Sequence, residues 1–235
     1  MTSASPRRAS GPPETARALD LRIRGVVQGV GFRPFVHRLA LAHGVRGWVK
    51  NEAGSVHVLA EGETAALEAF TAALRTDAPP LARIDELVAA EAEPTGAQDF
   101  QVVGSDVAPR GRLPVSPDVA ICPACAAELH DPADRRFRYP FITCTDCGPR
   151  FTVIEAMPYD RERSTMSVFA QCPECLREYR DPADRRYHSQ TNSCPACGPR
   201  VWLEAAGGVP HQGDLAIRAA GELLAGGRVV AVRGL

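Results

Sequence analysis

Eight cysteines, all of them in Cys-x-x-Cys pairs, constrain this chain more than any other feature of its sequence. Cys122-Pro123-Ala124-Cys125 and Cys144-x-x-Cys147 are separated by 18 residues, and the arrangement returns as Cys172-Pro173-Glu174-Cys175 and Cys194-x-x-Cys197, 50 residues later. Asp131 to Arg136, Asp-Pro-Ala-Asp-Arg-Arg, returns unchanged as Asp181 to Arg186, and Cys-Gly-Pro-Arg follows both repeats as 147–150 and 197–200. The stretch 120–202 is therefore an internal duplication. A Cys-x-x-Cys turn presents two thiolates to one ion, and two turns fill a tetrahedral shell with no position left for water, as in structural zinc sites. Four disulfides are the rival use of eight cysteines, but paired spacing in a chain without an export signal favours metal.

The simplest pairing puts Cys122, Cys125, Cys144 and Cys147 on one ion and Cys172, Cys175, Cys194 and Cys197 on a second. An exchange of pairs between the repeats has the same sequence, and four thiolates also suit an iron–sulfur centre. Large apolar residues are sparse between the pairs, so metal binding, worth about 10–16 kcal/mol per structural zinc, is expected to drive folding there.

At 235 residues the chain has room for one or two domains with their own cores. A net charge of -1, with acids and bases alternating in the repeated Asp-Pro-Ala-Asp-Arg-Arg blocks, argues against a nucleic-acid backbone as partner. No apolar run approaches the roughly 18 residues of a membrane span, and residues 1–18 lack the hydrophobic stretch of a signal peptide. That segment is expected to be a disordered tail on a cytoplasmic protein.

From Leu19 to Val27 apolar and charged residues alternate as in a half-buried strand. After a glycine-rich turn, Pro34 suits a first helical turn, and Phe35, Val36, Leu39 and Ala40 recur at helical spacing until Gly44. Val45–Lys50 and Ser55–Ala60 pattern as hairpin strands across Asn51-Glu52-Ala53-Gly54. Residues 63–75 place Leu67, Phe70 and Leu74 on one helical face, and strands follow near Ile84–Ala90 and Phe100–Val103. The order βαββαβ predicts an α+β, ferredoxin-like domain over residues 19–105. A linker rich in Pro and Gly follows at 106–119, then the duplicated module at 120–202. From 203 to 235 a helical pattern over Asp214–Ala225 and a strand pattern over Arg228–Val232 suggest the start of a further domain.

The chemistry is expected in Gln28-Gly29-Val30-Gly31-Phe32-Arg33, between the first strand and the first helix. There the free amides of a helix start and the positive end of its dipole make an anion site. Glycine lets backbone approach a phosphate closely, and the Arg33 guanidinium matches phosphate oxygens in a fork. Such a loop can also be a plain tight turn with a surface arginine, and His37 and His43 are expected to be packing or surface residues.

Gly25-x-Val27-Gln28-Gly29-Val30-Gly31-Phe32-Arg33, followed by Gly47-Trp48-Val49-Lys50-Asn51, is very similar to the acylphosphatase signature. That resemblance implies a phosphate held by Arg33 with the loop amides 28–33 and a water oriented by Asn51, without a catalytic metal or covalent intermediate. The cysteine spacing, the paired Asp-Pro-x-Asp-Arg-Arg and Cys-Gly-Pro-Arg blocks and Pro158-Tyr159-Asp160-Arg161 resemble HypF-type hydrogenase maturation carbamoyltransferases. Membership implies that carbamoyl phosphate is hydrolysed at the first domain. It also implies two structural zinc ions and, in a full-length relative, ATP-dependent transfer of the carbamoyl group to the partner HypE. The end of the chain, from Gly227, is similar to the start of that family's YrdC-like domain. The other reading is a zinc-finger interaction module whose acylphosphatase-like domain is inactive; turnover of acyl phosphates discriminates the two.

Overall fold

The alternating pattern of the first segment forms β1 (Arg17–Val26), which buries Leu21 and Ile23 and exposes Arg22 and Arg24. The computed structural model describes residues 17–52, 55–105, 117–204 and 211–233. The strand begins two residues before Leu19, because Arg17 and Ala18 already pair with Gly62 and Glu61. The tail expected over 1–18 therefore does not include Arg17 and Ala18; residues 1–16 lie outside the described residues, as do turn residues 53–54 and most of the expected linker. After β1 come α1 (Phe32–Ala42), β2 (Arg46–Glu52), β3 (Ser55–Gly62), α2 (Thr64–Thr76), β4 (Arg83–Ala92) and β5 (Phe100–Val102). This is the ferredoxin-like order, with the last strand kept as a short piece of edge.

The chain divides into two compact units, Met1–Val27 with Phe32–Arg112 and Gln28–Gly31 with Leu113–Leu235. In the first, the strands stand in the order β4-β1-β3-β2-β5. β1 and β2 each pair antiparallel to β3, and β5 pairs parallel to β2, so β1, β2 and β5 share one direction. Leu21, Ile23, Val49, Val56, Val58, Val36, Phe70 and Leu74 are fully buried between sheet and helices. Each such side chain contributes about 1.5–3 kcal/mol by leaving water. Glu61, near the end of β3, is buried and accepts hydrogen bonds from the backbone N–H groups of Thr95, Gly96 and Ala97 at 2.8, 3.0 and 3.2 Å, which ties down the approach to β5.

β4 is an edge strand, exposed along most of its ten residues. It carries Arg83, Asp85, Glu86 and Glu91.

The second unit has little regular structure. Its elements are α3 (Pro123–His130), α4 (Pro173–Arg180), a two-stranded pair of β6 (Trp202–Leu203) and β7 (His211–Gln212), and α5 (Asp214–Ala225). Proline at the first turn suits a helix start, where its missing N–H costs nothing. The identical Asp-Pro-Ala-Asp-Arg-Arg blocks fold identically. Asp131 accepts from Ala133 N and Asp134 from Arg136 N at 2.9 and 2.7 Å, and Asp181 and Asp184 do the same for Ala183 and Arg186 at 2.9 and 2.7 Å. These side chain to backbone turns aim the second arginine of each block inward, leaving Arg136 1% and Arg186 4% exposed. The strand expected at Arg228–Val232 is not formed: these residues pair with no described strand, and Val229 is 97% exposed. A strand pattern yields a strand only where a neighbour satisfies its backbone groups.

His37 and His57 are buried in the first unit. Burial lowers both from the ordinary 6.5; a hydrogen bond to the Phe100 carbonyl offsets this in part for His37, and one to Asp20, at 2.6 Å, for His57. The unfolded chain therefore takes up protons first as the pH falls below 6.5, and the stability these histidines lend, present above 6.5, is lost toward their lowered folded values. Urea unfolding between pH 7.5 and 5 is expected to show falling stability, and His37→Gln with His57→Gln is expected to flatten the slope.

Candidate active site and metal centres

Strand direction assembles the first site. Because β1, β2 and β5 run the same way, their C-terminal ends meet at one end of the sheet. From β1 the chain enters the segment Val27–Gly31, after a register shift between Arg24 and Gly25. Gly29 and Gly31 have φ of 76° and 72°, the left-handed region that side chains with a Cβ avoid. Alternation of such residues with ordinary ones curls successive N–H groups toward one side. Val30 and Phe32 bury their side chains, each 1% exposed, which fixes the curl from both sides of Gly31.

Helix α1 starts at Phe32, two residues before Pro34, so Arg33 belongs to its first turn. Arg33 is 8% exposed, and its guanidinium donates from Nη1 to Ser105 Oγ at 3.3 Å. Ser105 follows β5 and was not anticipated; only the parallel pairing of β5 with β2, invisible in a three-residue strand pattern, brings it here. Asn51 is 1% exposed at the end of β2. In register it faces Val56 of β3, which faces Ile23 of β1, so one row across the sheet links it to the strand that leads into the loop. Within the first unit, the helix start that carries Arg33 and the strand end that carries Asn51 lie toward the same end of the sheet. His37 is no part of it, since its ring packs edge-on to Phe100 at 6.1 Å.

The cysteines cluster within each repeat: Cys122, Cys125, Cys144 and Cys147 in one group, Cys172, Cys175, Cys194 and Cys197 in the other, all four sulfurs of each within 4.8 Å of one another. Four sulfurs about 2.3 Å from a tetrahedral ion stand about 3.8 Å apart. The sulfur pairs Cys122–Cys144, Cys144–Cys147, Cys172–Cys194, Cys194–Cys197 and Cys175–Cys197 are 3.6, 3.8, 3.8, 3.7 and 3.6 Å apart. Both donor sets thus fit a structural metal ion with a closed shell. The helix start of α3 assists, with Cys125 N donating to Cys122 Sγ at 3.4 Å, and Cys122 N donates to Cys147 Sγ at 3.2 Å. Hydrogen bonds from Cys125 and Cys144 push the Cys147 thiol down, whereas the neighbouring sulfurs and burial push Cys144 up. A metal ion takes thiolates, so its binding would release protons from these groups.

Stripping metal from the chain is expected to melt α3 and α4 and make residues 117–204 sensitive to protease, with protection returning on re-addition of two equivalents. A module that stays protected in excess chelator would show that the cysteines do not fold it through metal.

Among the described residues no helix is long and apolar enough to cross a membrane. A family model described as acylphosphatase matches residues 19–102, and one described as HypF finger matches 121–154 and 172–204. Carbamoyltransferase HypF2 of Cupriavidus necator is 49% identical over 71% of this chain and 21% of its own length. The acylphosphatase of Thermotoga maritima is 41% identical over 37% of this chain and 96% of its own. A crystal structure of full-length HypF in the phosphate- and nucleotide-bound form superposes with a TM-score of 0.84 at 40% identity, covering 97% of this chain and 29% of that one. The chain therefore spans under a third of the length of these carbamoyltransferase relatives.

Proposed function

Because the chain belongs to the HypF carbamoyltransferase family, we propose that its first domain, residues 19–105, hydrolyses acyl phosphates, carbamoyl phosphate above all, as the first step in making the cyanide ligand of nickel–iron hydrogenases. The observation that supports this reading is the placement of Gly29 and Gly31 at positive φ between β1 and α1, with Arg33 in the first turn of α1 and Asn51 near the end of β2, a strand that shares the direction of β1. In it, the amides of Gln28, Gly29, Val30, Gly31 and Phe32 and the Arg33 guanidinium hold the phosphoryl oxygens. The Asn51 carboxamide, donor and acceptor in one group, orients a water.

The water oxygen bonds to phosphorus as the bond from phosphorus to the carboxyl oxygen breaks, and the water's proton goes to phosphate or solvent. The leaving carboxylate is the base of an acid with a pKa of about 4, so it departs without a proton donor. What remains for the protein is positioning and stabilisation of charge on the phosphoryl oxygens, which fixed amides and a guanidinium supply.

Two zinc ions hold the duplicated module, in keeping with the closed thiolate shells. ATP-dependent activation and transfer to HypE belong, in this reading, to the parts of the full-length relatives that this chain does not span, and the setting is the cytoplasm.

Turnover of carbamoyl phosphate and acetyl phosphate by the purified chain tests the proposal. Arg33→Ala and Asn51→Ala are each expected to lower kcat/KM by about 100-fold or more, the usual cost of losing one charge-stabilising group, with urea unfolding confirming that both stay folded. Near-parental turnover in either would remove that residue from the site. A folded parent that turns over neither compound would favour the interaction-module reading.

A further inference from the structure

In the duplicated module each repeat directs its arginines at the other repeat's cysteines. Arg135, in the first repeat, donates from Nη2 to Cys175 Sγ at 3.2 Å and from Nη1 to Cys172 Sγ at 4.0 Å. Arg185, its counterpart, donates from Nη1 to Cys125 Sγ at 3.2 Å and Cys122 Sγ at 3.8 Å. The second arginine of each block crosses as well. Arg136 binds Glu178 and donates to the Ser193 carbonyl at 2.9 Å, while Arg186 binds Glu128 and donates to the Thr143 carbonyl at 3.0 Å. Every one of these contacts joins one repeat to the other, and each has its mirror image.

This exchange bears on metal binding in two ways. A divalent ion on four thiolates carries a net charge of -2, and the guanidinium against its sulfurs comes from the opposite repeat. Both arginines of a block also sit between the two cysteine pairs of their own repeat, on a loop that only that repeat's ion closes. Closing the loop at one ion therefore positions the counter-charge for the other, and removes entropy that would otherwise oppose it.

We propose that the two cysteine clusters load metal cooperatively, each through the Arg135-Arg136 or Arg185-Arg186 pair that the other repeat holds in place. The proposal rests on metal occupancy of both clusters, as inferred above. That premise is checked separately by the saturated chain, which must carry two ions.

Native mass spectrometry of the metal-free full chain with one equivalent of zinc is the test. Independent equal sites would leave about half of the chains with one ion. Cooperative loading is expected to leave far fewer, with metal-free and two-ion chains dominating; a one-ion population of half or more overturns the proposal. Arg185→Gln and Arg135→Gln add the crossed readout, since loss of a group supporting metal ligands typically weakens binding by about 10–100-fold. The one-ion form of Arg185→Gln is expected to protect Cys172, Cys175, Cys194 and Cys197 from alkylation, and that of Arg135→Gln to protect the other four. If both variants protect the same four cysteines, or each protects the opposite set, the crossed assignment is wrong. If a variant does not fold, the distribution in the parent chain still decides.

Discussion

The shared direction of β1, β2 and β5 is the constraint on which the first site depends. Residues far apart in the chain, Arg33, Asn51 and Ser105, reach one end of the sheet because antiparallel pairing through β3 turns β1 and β2 the same way and β5 joins β2 in parallel. In the proposed reading, backbone amides whose geometry two glycines permit share the phosphoryl group with a single side chain, the Arg33 guanidinium. That economy explains how a site of this kind can sit on a unit with a modest core. The sheet, already ordered by burial of Leu21, Ile23, Val49, Val56 and Val58, sets the positions without further expense of conformational freedom.

Much of this was legible from residue patterns alone. Period-two alternation marked β1 to β3, period-3.6 spacing marked both helices of the first unit, and the glycine loop stood where a strand meets a helix. What the patterns could not give were relations between distant segments. Ser105 was missed because the strand expected near Phe100–Val103 does not by itself show what its end lies beside, and the pairing of cysteines was open because both pairings have one spacing. The strand pattern at Arg228–Val232 misled for a related reason: periodicity reports a face suited to burial, and formation needs a partner.

The repeated Asp-Pro-Ala-Asp-Arg-Arg block shows how much a charge pattern can conceal. Taken as composition, alternating acids and bases only argue against a polyanion. In the folded module the acids are spent on their own backbone, Asp131 and Asp134 turning the chain, while the second arginine of the block is buried and committed to a carboxylate in the opposite repeat. Glu178 illustrates the strength of that commitment, since burial works to raise it, yet Arg136 and Arg135 hold it at about 2. A buried pair of this kind contributes less to net stability than to fixing one arrangement over others.

The exposed edge strand β4 has a consequence for behaviour at high concentration. Ten residues of open backbone are a template on which another chain could add a strand. Arg83, Asp85, Glu86 and Glu91 meet that hazard by charging the rim, where the pairs Arg83–Asp85, Arg24–Glu86 and Arg17–Glu91 hold hydrated charge that an added strand would have to strip of water. Replacing those acids by their amides leaves the fold's interior untouched but strips its border of the charge that an incoming strand would have to dehydrate.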